Sequence, residues 1–227
     1  MSEILISRSS LIRFLSMFAI ILIVIHTVIL CIYYYIGDPD QFDFVQMFDL
    51  DMEANIPTLF SSLLFMLNAF LFYILSRKET NNKNKYNYYW LGLSALFAFL
   101  SFDESAKIHE NIGDLTERFV DATGFLHYPW VLSYSLLVVF LGIVYFRFFW
   151  SMERKLFYRF VLAAVIFLTG ALGFELLGAQ ESSLYGTDSP LYSLYYTIEE
   201  SLEMFGLIYL VSILSSMLGN VTLRFSK

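Results

Sequence analysis

The sequence feature that most limits the fold is the stretch 14–36, which is almost entirely apolar and contains no Asp, Glu, Lys or Arg. A transmembrane α-helix needs about 20 consecutive, mostly apolar residues. Five later stretches have a similar character, so the chain is predicted to cross a membrane at residues 14–36, 57–76, 86–104, 129–146, 160–178 and 198–223. We therefore predict an all-α fold, a polytopic membrane helix bundle with six transmembrane helices.

The composition agrees with this prediction and excludes several other classes of protein. Apolar residues make up 58% of the chain and charged residues only 15%, whereas soluble domains average about 45–50% and about 25%. The single cysteine excludes an intrachain disulfide framework. A net charge of −7 offers no basic surface for nucleic acid. The sequence has no internal repeat and no polar domain, so residues 1–227 are predicted to form a single integral membrane domain.

The distribution of charge predicts the orientation of the bundle. All but two of the 14 Lys and Arg residues, the exceptions being Lys107 and Arg118, lie at one set of helix ends or at the termini. All but three of the 21 acidic residues lie at or beyond the opposite ends. Because basic short loops mark the cytoplasmic side, both termini are predicted to be cytoplasmic and the acidic loops to be outside. Together with the absence of a targeting signal, this predicts an integral protein of a bacterial inner (cytoplasmic) membrane.

Ionisable side chains converge near the outer ends of the predicted helices, where they are costly to bury and are therefore candidates for function. Glu175 and Glu203 have apolar neighbours within the fifth and sixth spans. The third span is expected to continue as a helix past Asp103, which would place Asp103, Lys107 and Glu110 on one face. The segment after it repeats apolar residues at helical spacing and predicts an amphipathic helix.

These side chains predict a divalent-metal site. Carboxylates this close together must take up protons, pair with cations or bind a metal. Carboxylate with imidazole suits zinc, iron or manganese, whereas carboxylates alone favour calcium or magnesium. The predicted metal ligands are Glu175, Glu203, Glu110, His109 and Glu200, and the predicted catalytic groups, supporting the ligands or transferring protons, are Asp103 and Glu104. A metal with an open position lowers the pKa of its bound water to about 7, which favours a membrane hydrolase with a lipid-like substrate.

Two other functions stay open at this stage. Carboxylates within helices also mark cation or proton pathways, although the inner halves of the spans contain almost no ionisable residue. A non-catalytic membrane subunit or sensor would need no metal chemistry, and Thr169 with Gly173 forms a small-residue face suited to helix packing. Glu199 and Glu200 are also explained as residues of a first helical turn, where acidic side chains are favoured. Neither His-Glu-x-x-His nor the Glu-x-x-His of ferritin-like di-iron bundles occurs.

Overall fold

A computed structural model of the chain describes residues 2–5, 7–36, 43–81, 86–219 and 222–225. These residues form a helical bundle whose two terminal segments pair as a short antiparallel ribbon, with Ser2 opposite Phe225 and Leu5 opposite Thr222. The elements are β1 Ser2–Leu5, α1 Arg8–Ile36, α2 Asp43–Gln46, α3 Ile56–Asn81, α4 Asn87–Ala106, α5 Ile108–Glu117, α6 Trp130–Trp150, α7 Arg154–Leu168, α8 Glu175–Tyr185, α9 Pro190–Leu218 and β2 Thr222–Phe225. A 3₁₀ turn, Gly124–Leu126, precedes α6, and a π-helical segment, Thr169–Phe174, joins α7 to α8.

Helices form at each of the predicted spans. Five segments of the described chain are long and apolar enough to cross a membrane, namely Arg8–Tyr35, Ile56–Lys78, Trp130–Trp150, Arg154–Tyr185 and Pro190–Leu218. The chain is thus a helical protein with the helices of a membrane protein. The helix α4 occupies the predicted position of the third span but is not among these five. Six spans and the cytoplasmic termini therefore stay predictions.

The helix α9 forms the centre of the bundle and packs against α1, α3 and α7. Its side chains Met204, Val211, Ile213 and Leu214 have no measurable exposure. A helix that is apolar on all sides is expected at the centre of a bundle. Basic side chains from three other helices contact its last turns, through Arg8 to Ser212, Lys78 to the carbonyl of Met217 and Arg159 to Ser216. We call this end of the bundle the basic end and the opposite end the acidic end.

The boundaries of α9 differ from the predicted span 198–223, and this correction bears on the site. The helix begins at Pro190, and the Ser189 hydroxyl accepts a hydrogen bond from the Leu191 N–H. Serine before a proline is a strong helix start. Glu199 and Glu200 therefore lie about 13–15 Å along the helix and are not in its first turn. At the other end the helix stops at Leu218, and residues 222–225 form β2.

A second correction concerns the junction of α4 and α5. The helix continues past Asp103 as expected, but it ends at Ala106, because Lys107 adopts a left-handed conformation with φ of 53°. The helix α5 then begins at Ile108 in a new direction, and it is the amphipathic helix that the apolar spacing predicts. The predicted common face of Asp103, Lys107 and Glu110 is therefore wrong.

The close approach of α7 and α9 depends on glycines other than the predicted one. A Cβ atom at Gly170 would lie 2.7 Å from the carbonyl oxygen of Glu199, and one at Gly206 would lie 2.9 Å from the backbone nitrogen of Phe167. At Gly173 the nearest atom would be 3.8 Å away, in Thr169 of the same segment. Gly170 and Gly206 are therefore the glycines that let the two backbones meet. Thr169 and Gly173 are exposed, so their role as a packing face for another helix stays a prediction.

Candidate functional site

Five carboxyl groups from three helices line one cavity, and we call them the acidic cluster. They belong to Glu104 of α4, Glu175 of α8 and Glu199, Glu200 and Glu203 of α9. Glu199 is only 8% exposed. The structure brings Glu175, Glu200, Glu203 and Glu104 to this one cavity, and their roles as metal ligands and catalytic group stay predictions. Glu199, which had an alternative explanation as a helix-start residue, belongs to the same group.

The π-helical segment and Gly170 set the position of Glu175 opposite α9. A π turn widens a helix locally and is frequent at functional sites. Here it ends at Phe174, directly before Glu175, while Gly170 allows the Glu199 backbone to approach. The Glu175 carboxyl group consequently lies within hydrogen-bonding reach of the Glu199 carboxyl group and of the Trp130 indole.

The arrangement of these carboxyl groups requires a proton or a cation. Two carboxyl groups can hydrogen-bond to each other only if one of them carries a proton. Glu200 interacts electrostatically with Glu104 and Glu175, and Glu203 interacts with the same two residues. Like charges at short range in a poorly solvated site repel strongly. The cluster is therefore a site for positive charge, in the form of protons, a metal ion or a cationic group.

His109 lies beside the cluster, and carboxylates engage both of its ring nitrogens. Nδ1 is 3.2 Å from Oδ1 of Asp103, and Nε2 is 3.3 Å from Oε1 of Glu53. Burial alone would lower the pKa of His109, but the hydrogen bonds and charges of Asp103 and Glu53 outweigh it and raise the pKa to about 10. His109 is thus a doubly protonated imidazolium at neutral pH, and neither nitrogen has the free lone pair that a metal ligand needs.

Asp103 holds α4, α5 and α6 together. Its Oδ1 accepts a hydrogen bond of 2.6 Å from the His109 backbone N–H, and its Oδ2 accepts one of 2.7 Å from the Tyr134 hydroxyl. The side chain is 6% exposed. Asp103, predicted as a catalytic group, is therefore placed to orient its neighbours, whereas Glu104, the next residue in α4, lines the cavity as part of the acidic cluster.

Glu110 lies apart from the other predicted ligands. Its side chain is 55% exposed, and its nearest charged partner is the Lys107 amine at 3.7 Å. The same amine is 2.9 Å from Oε2 of Glu53, which lies in the loop before α3. Hydrogen bonds and charges from His109 and Lys107 lower the pKa of Glu53 against the opposing effect of burial. Glu110 therefore stands at the rim of the cavity, and the five predicted ligands do not surround one point.

The loop 47–55 closes the acidic end through contacts of Leu50, Asp51 and Glu53. The Leu50 backbone N–H donates a hydrogen bond of 3.2 Å to Nδ1 of the fully buried His26 in α1. Oδ1 of Asp51 accepts a hydrogen bond of 2.7 Å from the Tyr192 hydroxyl of α9. Glu53 contacts His109 of α5, as described above. Burial raises the pKa of Asp51 to about 6, despite the hydrogen bond from Tyr192. The loop is thus fixed to three helices.

The cavity has a volume of about 1140 Å³, larger than the 300–1,000 Å³ that is usual for small-molecule sites. Acidic side chains line its acidic end, and among the described residues that line it none is Lys or Arg. Towards the basic end its walls are aromatic and aliphatic, with side chains such as Phe149, Phe157 and Phe160. One cavity therefore has acidic walls at one end and apolar walls along the rest of its length.

The sequence interpretation did not select Glu53, Tyr134 or Trp130 as site residues. Their contacts with the site join segments that are far apart in the chain, so no local spacing predicts them. In the described part of the chain, no group of three or more His, Cys, Asp and Glu side chains has an arrangement that could hold a metal ion. The metal site therefore stays a prediction.

These observations define a class: a helical bundle with membrane-length helices around an amphiphilic, acidic-headed cavity. The chain belongs to a family described as Domain of unknown function (DUF8692), which matches residues 14–218. That match includes all five residues of the acidic cluster. No curated protein and no solved structure matches the chain.

Proposed function

We propose that this protein is a membrane-embedded hydrolase that acts on a lipid-like substrate and uses a divalent cation held by the acidic cluster. The observation that carries the proposal is that the cluster and the apolar walls belong to one cavity. A substrate with an apolar body would place its polar group at the carboxylates by filling this cavity. In the proposed orientation the acidic end faces outward from a bacterial inner membrane.

The donor set favours a hard cation. With His109 engaged by Asp103 and Glu53, the donors left at the cluster are carboxylate oxygens. Oxygen-only sites suit magnesium, calcium and manganese. Of the metals that the sequence suggests, manganese fits this donor set best. As they stand, the described carboxyl groups do not surround one point at ligand distance, so a cation would have to draw Glu175, Glu200 and Glu203 together. Glu199 is hydrogen-bonded beside Glu175.

The residues around the cluster would have separate roles in hydrolysis. A bound cation would supply an activated water, whose pKa it lowers to about 7. Asp103 and Glu53 hold His109 as a fixed positive charge next to Glu104, with which it interacts. Glu104 would take up a proton from the attacking water during hydrolysis and return it to the leaving group. The apolar walls would exclude bulk water.

The apolar half of the cavity argues against the alternative of cation or proton transport. An ion path needs polar groups across the whole bilayer. Among the residues of α6 from Leu137 to Phe149 that line the cavity, none is acidic, basic or histidine. A lipid-like body suits such walls and an ion does not. A non-catalytic subunit would leave a large acidic cavity without a use.

The proposal is tested by the metal content of the protein purified in detergent without chelator and refilled with manganese, measured by mass spectrometry. We expect near-stoichiometric metal, which Glu203→Gln should remove while the fold is retained. Glu153→Gln is the matched control, because Glu153 is exposed and precedes α7 at the basic end. Absence of bound metal, or equal metal in both variants, would refute the metal-dependent mechanism.

A further inference from the structure

The apolar body of the cavity runs along nearly the whole length of α6. Cavity-lining residues recur on one face of this helix at Trp130, Tyr134, Leu137, Val138, Leu141, Gly142, Tyr145, Phe146 and Phe149. Tyr134 marks the level of the acidic cluster, because it hydrogen-bonds to Asp103. From Tyr134 to Phe149 the helix advances about 22 Å. This length is greater than the ~15 Å thickness of half of a bilayer's hydrocarbon core, which one lipid acyl chain fills. We call this part of the cavity the apolar arm.

The aromatic side chains Phe149, Phe157 and Phe160 line the apolar arm at the basic end. The rings of Phe149 and Phe160 are 5.1 Å apart, and those of Trp150 and Phe157 are 5.5 Å apart. Nearby, Tyr89 of α4 stacks on Phe148 of α6 at 4.7 Å. The arm therefore has a floor made of large rings, and its length is set by residues that contact one another.

Polar and aromatic contacts hold α6 at its two ends. At the acidic end these are the Tyr134–Asp103 hydrogen bond and the contact of Trp130 with the His109 ring, at 5.0 Å. At the basic end they are the aromatic contacts of Phe148 and Phe149. Between them, a Cβ atom added at Gly142 would meet nothing within 4 Å. The middle of α6 thus borders open space on its cavity face, where a long, narrow apolar group fits.

We infer that the apolar arm receives one long alkyl chain of an amphiphile whose head, uncharged or positively charged, lies at the acidic cluster. The inference rests on the proposed function and names its substrate class. Eleven of the described residues that line the cavity are acidic and none is Lys or Arg. The imidazolium of His109 is already paired with Asp103 and Glu53, so an anionic head would be repelled. The length of the apolar arm selects the alkyl chain of the ligand, and the charge of the acidic cluster selects its head.

The probe is hexadecylamine with a photoreactive diazirine at the far end of its chain, added to the protein in lipid nanodiscs with chelator present. Mass spectrometry then locates the labelled residues. We expect label on Phe149, Phe157 or Phe160 at the floor of the arm. Label confined to the lipid-facing residues Val139, Phe140 and Ile143, which are 60–72% exposed, would overturn the inference.

Two variants of α6 provide a matched pair. Gly142→Trp places a large ring in the open space of the arm, and replacing a helical glycine does not weaken the helix. Ile143→Trp adds the same ring on the neighbouring residue, which is 72% exposed on the outside of the bundle. Labelling of the floor should fall to background in Gly142→Trp and stay unchanged in Ile143→Trp. Equal labelling in the two variants would contradict the proposed position of the chain.

A shorter probe tests the arm without any substitution. Octylamine with a terminal diazirine should label Leu137 or Leu141, nearer the acidic cluster, because its chain is too short to reach the floor. The same labelled residues for both chain lengths would refute the length selection. The labelling is done with chelator and therefore does not depend on bound metal. If the floor is labelled but the separate metal measurement finds no bound metal, the inference is upheld and the hydrolase proposal is refuted. If metal binds but the floor is not labelled, the inference is refuted and the hydrolase proposal is upheld.

Discussion

Replacement of Gly170 by Ala tests whether close contact between α7 and α9 builds the acidic cluster. The added Cβ would lie 2.7 Å from the Glu199 carbonyl oxygen, 3.1 Å from Cβ of Leu202 and 3.2 Å from Cγ of Glu203. The first of these atoms belongs to the backbone, so a change of side-chain rotamer cannot relieve the clash. We expect α9 to move away, carrying Glu199 and Glu203 with it, and the bundle to lose stability.

Gly173→Ala is the control, because it makes the same replacement in the same π-helical segment. Its new Cβ would have only an ordinary contact of 3.8 Å, to Thr169. The gain in helix propensity on replacing glycine is shared by both variants, so their difference isolates the steric cost. Overpacking costs about 1–3 kcal/mol, and each kcal/mol shifts the Tm of a chain of this size by about 2–4 °C.

The assay is thermal unfolding of both variants in the same detergent, followed by intrinsic tryptophan fluorescence. Gly170→Ala should unfold roughly 2–12 °C below Gly173→Ala. Metal content, measured on the folded proteins, should fall in Gly170→Ala only. Equal unfolding temperatures would refute the argument that Gly170 is required for the approach of the two helices.

Further predictions concern the polar contacts at the acidic end. The pKa of His109 is raised from 6.5 to about 10, so the stability that its carboxylate partners provide is complete below pH 6.5 and is lost as the pH rises towards 10. The Tm should therefore decline over this range, and Asp103→Asn, which removes one of the two charges, should flatten the decline; an unchanged slope would contradict the assignment. His26→Phe keeps the ring but leaves the Leu50 N–H, which donates to Nδ1 at 3.2 Å, without its acceptor. Chemical denaturation should then show a loss of about 1–3 kcal/mol, and wild-type stability would refute the role of His26 in fixing the loop 47–55.

The sequence predicts the helices well because long apolar runs have few alternatives. Composition predicts the positions of helices at all six predicted spans, and apolar spacing identifies α5. The boundaries fail where polar residues continue a helix or a residue ends it without a typical signal. The first turns of α9 are rich in Tyr, Ser and Thr and resemble a loop, and Lys107 adopts a backbone conformation that favours glycine.

The sequence predicts only part of the candidate site. Glu175 and Glu203 stand out because a carboxylate among apolar residues is costly. The contacts around His109 cannot be predicted from such local patterns. Glu53 approaches His109 from the loop before α3, and Tyr134 of α6 hydrogen-bonds to Asp103, the other carboxylate partner of His109. His109 looks like a metal ligand by residue type, but its two carboxylate neighbours make it a cation instead. Similarly, only the packing of α9 distinguishes the role of Gly170 from that of Gly173.

The most direct test of the account asks whether the cation site and the apolar arm belong to one functional site. Manganese bound to the protein in nanodiscs is followed by electron paramagnetic resonance while hexadecanol, whose head is uncharged, is added. The account predicts that the alcohol head changes the spectrum of manganese that stays bound to the wild-type protein and to Ile143→Trp, whereas Gly142→Trp binds manganese and its spectrum does not change. Equal changes in both variants, or no bound manganese in the wild-type protein, would contradict the claim that one cavity holds the cation and the alkyl chain.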